Sequence, residues 1–321
     1  MLNNKLIAFL KLVRFENLLM IVFTQWLLRY VVLQKIVTLH QLELRMGDTL
    51  FALVIVSTVL IAAAGYIIND YFDVKTDLIN HPDTVVVDRV IKRRWAIILH
   101  ISFTLAGLVL GMYAALKTGY LRLAVFHVVA AVLLWFYSTH FKRMLLVGNV
   151  VVSLLTAAVA FMPFVYEMGV MQNTYPGFVL QHAALTLSAL KITTLFSVFA
   201  FLTSMAREII KDMEDYEGDK ATGGATLPIV WGIRSAKLLV MFILLITFLL
   251  LLFVLYNTIK SERVLFTLSN VYIFTCLMLP LLSLSAYVAR SKDSKHFKRG
   301  SLFLKLIMLL GLSYSFIFYY S

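Results

Sequence analysis

The stretch TSMAREIIKDMEDYEGD, residues 203–219, ends a long apolar run and carries three aspartates, Asp212, Asp215 and Asp219, at spacing i, i+3, i+7. On a continuous helix of about 3.6 residues per turn, three such carboxylates share one face. The same pattern, D-x-x-D-x-x-x-D, occurs at Asp70, Asp73 and Asp77 in GYIINDYFDVKTD, residues 65–77, again closing an apolar run and with Asn69 just ahead of it. Like charges one turn apart destabilise a helix. Each motif therefore calls for something cationic to offset it.

The surrounding composition sets the environment. The 321 residues are 61% hydrophobic and only 14% charged, with a mean hydropathy of +0.89. A soluble domain rarely exceeds about 50% apolar residues, so the expected fold is an all-α polytopic membrane protein. The formal charge of +12 belongs in loops, where it faces anionic headgroups or anionic substrates. Basic residues are dispersed between apolar runs rather than gathered in one domain, which excludes a nucleic-acid partner. The single cysteine, Cys276, lies in an apolar run and allows no intrachain disulfide. The N-terminal MLNNKLIAFLKLVRFENLL lacks a small-residue cleavage site and continues into a full-length span, unlike a cleaved signal.

About 20 apolar residues cross a bilayer as helix. Counting such runs gives nine expected spans, at 16–34, 49–70, 95–116, 120–139, 144–166, 190–211, 236–257, 264–289 and 301–319. Residues 167–189 are too polar for a span and are expected to hold a short surface helix. Residues 1–14 place Leu2, Leu6, Phe9, Leu10 and Val13 on one side with lysines opposite, the pattern of an interfacial helix. The expected organisation is one integral-membrane domain over 1–321, with the interfacial helix at 1–14 and a nine-helix bundle over 15–321. With nine spans, 21 of the 29 lysines and arginines fall on the side that holds the N-terminus and both motifs. Among the other eight are Arg29, Lys260 and Arg263. The positive-inside rule then puts the N-terminus and both motifs at the cytoplasmic face of the inner membrane and the C-terminus outside. The two motifs end spans 2 and 6, which suggests a weak internal repeat with the motif helices facing each other.

Carboxylate oxygens are hard ligands suited to Mg²⁺, and Mg²⁺ favours one or two carboxylates together with substrate phosphates and water. Two aspartate clusters among arginines and lysines therefore suit a phosphate-bearing substrate, and their position above an apolar bundle suits a diphosphate with a long apolar tail. Solvated loop charge would account for either motif alone. It accounts poorly for two copies in identical spacing on one side. Glu214 and Glu217 point off the aspartate face and are read as solvated charge.

NDYFDVKTD at 69–77 and KDMEDYEGD at 211–219 resemble the two aspartate-rich motifs of the UbiA superfamily of intramembrane prenyltransferases. The similarity extends over nearly the whole chain, to Arg14-x-x-Asn17, to Tyr137-Ser138 followed by Lys142, and to Asn149. It implies a nine-helix bundle around a central cavity. There a prenyl diphosphate is held through Mg²⁺, with two ions bridging aspartates and diphosphate, and ionisation of the allylic C–O bond gives a carbocation that a lipophilic acceptor attacks. Carried over by position, Asp70, Asp73, Asp77, Asp212, Asp215 and Asp219 become the catalytic, metal-holding residues. Arg14, Asn17, Asn69, Tyr137, Ser138, Lys142, Arg143 and Arg207 become substrate-binding candidates. Preorganised cations suit a diphosphate that gains charge as it leaves.

REIIKDMEDYEGDKATGGATLP is most similar to the branch that makes digeranylgeranylglyceryl phosphate, where a glycerol hydroxyl becomes an ether. The alternative acceptor is an aromatic ring of quinone biosynthesis. The chain departs from the family pattern after Asp77, where Asn80-His81-Pro82-Asp83-Thr84-Val85 replaces the usual arginine-proline run, with Arg89 or Lys92-Arg93-Arg94 as possible substitutes. The seven histidines lack metal-ligand spacing. Arg207-Glu208 lies one turn before Asp212, where an ionisable pair is functional by default, and Glu208 is read equally as positioning Asp212 or simply pairing with Arg207. A divalent-cation transporter is the competing class, but its carboxylates belong near the bilayer midplane, whereas these cluster at one face.

Overall fold

The computed structural model describes residues 2–262 and 266–320. Arg263 and the first two residues of the expected eighth span, 264 and 265, lie outside them. The elements in order are α1 (Leu2–Leu12), α2 (Phe15–Leu39), α3 (Asp48–Asn80), α4 (Arg93–Lys117), α5 (Leu121–Thr139), α6 (Val147–Thr174), α7 (Phe178–Gln181), α8 (Ala183–Glu214), α9 (Tyr216–Ala221), α10 (Leu227–Val230), α11 (Gly232–Glu262), α12 (Leu268–Arg290) and α13 (Ser294–Tyr320). Nine of these, among the described residues, are long and apolar enough to cross a membrane, and each corresponds to one expected span. No strand forms among the described residues. Large apolar side chains such as Val109, Leu180 and Phe253 stand exposed on the outside of helices, as expected where lipid rather than water is the solvent.

The helices overshoot the apolar runs. The 33 residues of α3 reach about 50 Å at 1.5 Å per residue, against a hydrocarbon core of about 30 Å. The excess lifts Asn69 to Asn80 out of the apolar segment without breaking the helix. Likewise α6 continues to Thr174 and α8 begins at Ala183. The expected short helix between them is thus only Phe178–Gln181, and Phe178 is buried. Pro163 sits inside α6. Pro280 follows the π-helical turn Ile273–Met278 of α12, consistent with a ring that cannot donate to the preceding carbonyls.

The chain forms two compact units. The first takes in the chain up to Lys142 together with Val159–Thr193, and the second takes in Arg143–Ala158 together with the chain from Thr194 onward. Each unit carries one aspartate motif. In the first, Ala8, Leu12 and Val13 pack with Ala63, Ile67 and Val74 of α3, while Leu6 and Ile7 stay exposed. Of the apolar face expected for residues 1–14, Val13 and Phe9 join this cluster and Leu6 stays exposed. Gly107 and Gly111 form a G-x-x-x-G on α4. A Cβ at Gly111 would lie 2.5 Å from the His127 ring, and one at Gly107 would lie 2.7 Å from Ile61. The missing side chains let α3 and α4 approach closely, as small residues do between membrane helices. Ser57 uses this closeness to donate to the Gly107 carbonyl at 2.6 Å. The second unit is built on Ile209, Ile210, Leu227, Ala236, Val240, Leu284, Leu304 and Ile307.

An ionic cluster lies at the end of the first unit opposite its aspartate motif. Arg29, only 1% exposed, sits in a π-helical stretch of α2, Leu28–Leu33. Its Nε donates to Glu167 on α6 at 3.1 Å, its Nη1 to Asp48 at the start of α3 at 3.0 Å, and its Nη2 to the Met46 carbonyl. The other Glu167 oxygen accepts from the backbone N–H groups of Arg45 (2.5 Å) and Met46 (3.0 Å). One arginine thereby ties three helices and a loop. Sequence reading places Arg29 within the first span, at 16–34, counted with the outer-side basic residues, and Glu167 in the polar stretch after span 5. Arg29→Met leaves a buried carboxylate without its cation and is expected to cost about 3–5 kcal/mol. Arg29→Met/Glu167→Met should recover a large part of that. Thermal unfolding of the three proteins in one detergent checks the order.

Candidate active site

The first motif lies on one continuous helix, so Asp70, Asp73 and Asp77 share a face of α3 as expected. Between α1 and α2, Arg14 adopts the left-handed conformation (φ 50°, ψ 55°), an uncommon state for a residue with a Cβ that is retained where surrounding contacts fix it. Its guanidinium lies 3.0 Å from Asp70 and 5.0 Å from the centre of the Tyr66 ring. Burial works against this charge, and the Asp70 carboxylate together with Tyr66 and Tyr137 more than offsets it, holding the Arg14 pKa above its ordinary value. Arg14 is therefore cationic at every accessible pH. Asn17 closes the turn through its backbone N–H on the Arg14 carbonyl at 2.8 Å.

Asp73, 8% exposed, is paired with Lys142. That lysine is placed by the 3₁₀ turn Phe141–Arg143, which follows α5. Tyr137 is half-buried and interacts electrostatically with Arg14. Ser138 is buried, with its hydroxyl on the Leu134 carbonyl at 2.9 Å. The Asn69 Oδ1 is buried without a hydrogen-bond partner. Two carboxylates, two cations and an orphaned amide oxygen thus meet in the first unit.

The second motif is built differently. α8 ends at Glu214, Asp215 takes a bridge conformation (φ −92°, ψ 9°), and Asp219 belongs to the separate short helix α9. Its three aspartates are thus not on one uninterrupted helix. The chain still turns helically through the junction, where the Asp219 N–H donates to the Asp215 carbonyl at 3.1 Å. Asn149 of α6, 7% exposed, donates through Nδ2 to Asp212 at 2.8 Å. Arg207 pairs with its neighbour Glu208 at 3.0 Å, and Lys211 lies 3.6 Å from the same carboxylate. The Arg207 Nε is buried without a partner. Arg143 is exposed, and its carbonyl accepts from the Ala225 N–H at 2.9 Å, fixing the loop after the motif. Gly223, at φ 79°, turns the chain out of α9.

The loop that departs from the family pattern binds its own arginines. Arg89 donates to the Pro82 carbonyl, and Arg93 pairs with Asp88 at 2.9 Å while lying over the Tyr71 ring. Two buried histidines are occupied inside the first unit. His100 bonds the Ala64 carbonyl at 3.0 Å, and His127 joins Ser57 to Tyr166 at 2.8 and 2.9 Å.

The sequence pattern of residues 41–312 matches the UbiA prenyltransferase family. The chain belongs to that family. It is therefore an integral, multi-pass membrane enzyme. Among curated relatives, it is similar to the digeranylgeranylglyceryl phosphate synthase of Methanothermobacter thermautotrophicus (33% identical over 210 residues, covering 64% of each chain). It is also similar to the synthase of the same name from Methanosphaera stadtmanae (29% over 252 residues, covering 77% of this chain and 80% of that one). The chain spans between 53% and 64% of the length of several such relatives. The fold is similar to that of a solved digeranylgeranylglyceryl phosphate synthase (TM-score 0.63, 21% identity, covering 98% of this chain and 99% of that one). It is also similar to that of a UbiA homologue from Archaeoglobus fulgidus bound to DMAPP and Mg²⁺ (TM-score 0.55, 16% identity, covering 96% and 98%).

Asn149→Leu removes the donor to Asp212 and is expected to destabilise the protein by about 1–3 kcal/mol. Asp212→Asn placed in that background should be better tolerated than Asn149→Leu in the parent. A double-mutant cycle by thermal unfolding measures the coupling.

Proposed function

We propose that this chain transfers a polyprenyl group from an allylic prenyl diphosphate to the hydroxyl of a prenylglyceryl phosphate, forming an ether lipid. The observation that carries the reading is the pairing of motif carboxylates with cations in the first unit, Arg14 with Asp70 and Lys142 with Asp73. Hard oxygen donors beside fixed positive charge are what a metal-bound diphosphate needs. Asp70, Asp73, Asp77, Asp212, Asp215 and Asp219 are the residues that would hold Mg²⁺, two ions in this reading. When bound, Mg²⁺ supplies Lewis-acid neutralisation of the leaving diphosphate.

The chain's own residues then do the rest. Arg14, Lys142 and Arg143 would take diphosphate oxygens, with Arg207 released from Glu208 as a further donor. Asn17, Asn69, Tyr137 and Ser138 would complete the polar lining around the donor substrate. The allylic C–O bond breaks toward the diphosphate, the glycerol oxygen bonds to the allylic carbon, and the hydroxyl proton is released. No side-chain nucleophile is required. The glyceryl phosphate acceptor is favoured over an aromatic one by the second motif and by the named activity of the relatives above.

In this reading the whole chain is one integral-membrane prenyltransferase domain, with α1 lying in the interface through its exposed Leu6 and Ile7. The excess of basic residues on the motif side supports an orientation with both motifs and the N-terminus in the cytoplasm and the C-terminus outside.

Asp73→Asn and Asp215→Asn should each lower prenyl transfer by at least about 10²-fold, as should EDTA, with little change in thermal stability for Asp215→Asn. Full activity in either variant would overturn the assignment. Cysteines introduced singly at Asp83 and Tyr319, in a Cys276→Ser background, test the orientation. An impermeant maleimide added to intact cells should label only the second.

A further inference from the structure

The first turns of α13 carry a concentration of charge that the proposed reaction does not use. Arg290, Lys292, Lys295, Lys298 and Arg299 are all exposed. The only acidic residue between positions 286 and 305 is Asp293, and it is occupied as the cap of the helix. Its Oδ1 accepts from the His296 N–H at 2.9 Å and lies 2.8 Å from the His296 Nδ1. Lys237 fixes the preceding turn, donating to the Ala289 carbonyl at 3.3 Å and to that of Ser291. The positive charge is therefore held on a well-anchored helix start and is not neutralised locally.

At 100° per residue, Lys295, Lys298, Arg299, Leu302, Leu306 and Leu309 fall on one face of α13. Phe297, Gly300, Leu304 and Ile307 are buried on the opposite face. The three leucines are 59%, 51% and 40% exposed. The stripe is cationic for one turn and then continuously apolar. From Arg299 to Leu309 it runs about 15 Å, half the roughly 30 Å hydrocarbon thickness.

The geometry points to this stripe as a docking site for one anionic phospholipid, its phosphate at Lys295, Lys298 and Arg299 and its chain along Leu302, Leu306 and Leu309. A zwitterionic lipid satisfies the apolar part only. A free phosphate ester satisfies the charged part only. The site shares no residue with the aspartate motifs, and its failure would leave the proposed reaction untouched.

The test uses the full chain, delipidated in a neutral detergent, with thermal unfolding and native mass spectrometry as readouts. Phosphatidylglycerol should raise the melting temperature and remain bound as a discrete adduct, while phosphatidylcholine and glycerol phosphate should do neither. Lys295→Ser/Lys298→Ser/Arg299→Ser should weaken retention on the order of a hundredfold, at roughly a factor of five per basic residue. Lys295→Arg/Lys298→Arg should keep it, which separates loss of charge from loss of folding. Lys117→Ser/Arg122→Ser/Lys191→Ser removes the same charge at exposed positions elsewhere and should retain the adduct. Equal retention by the first triple variant, equal loss in the second, or equal stabilisation by phosphatidylcholine or glycerol phosphate would overturn the proposal.

Discussion

A carboxylate held against a bilayer must have its charge answered, because desolvating it alone costs several kcal/mol. That constraint organises both ends of the first unit. At one end Asp70 is answered by Arg14 and Asp73 by Lys142. At the other, Glu167 is answered by Arg29 and two backbone N–H groups. In the second unit Asp212 is answered by the Asn149 amide, and Glu208 by Arg207 and Lys211. The answering groups come from different parts of the chain, so folding brings together what the sequence separates.

The two ionic ends differ in what they leave available. Around Glu167, both carboxylate oxygens and all three guanidinium nitrogens of Arg29 are engaged, which suits a structural tie. Around the motifs, the Asn69 Oδ1 and Arg207 Nε remain buried without partners. Such unspent hydrogen-bonding capacity is expensive to leave in place and is typical of a site shaped for a ligand.

The nine spans were legible because a membrane helix announces itself by apolar length alone. Their ends were not, because amphipathic extensions such as residues 69–80 of α3 and 167–174 of α6 stay helical after the apolar run stops. For that reason Glu167 was assigned to a polar connection. Its pairing with Arg29 could not be read, since 138 positions separate them. The first aspartate motif was read correctly as one helical face, whereas the second breaks at Asp215, and spacing alone cannot distinguish a helix from two helices joined by one bridge residue. Gly107-x-x-x-Gly111 was a readable signal of close α3–α4 packing that an inventory of charged motifs passes over. The resemblance to prenyltransferases rested on residues the motifs make conspicuous, and the family match over residues 41–312 agrees with it.

The altered loop after Asp77 places its arginines on Pro82 and Asp88, so the cations that meet the first motif come instead from Arg14, ahead of α2, and Lys142, after α5. The central claim is that these cations and carboxylates serve prenyl transfer to a glyceryl phosphate. The most direct measurement incubates the purified protein with Mg²⁺ and labelled geranylgeranyl diphosphate, offering in turn a prenylglyceryl phosphate, 4-hydroxybenzoate, dihydroxynaphthoate and homogentisate. The account predicts an ether product with the glyceryl phosphate alone. A product formed only with an aromatic acceptor would contradict the acceptor, and no product with any of them would contradict the function.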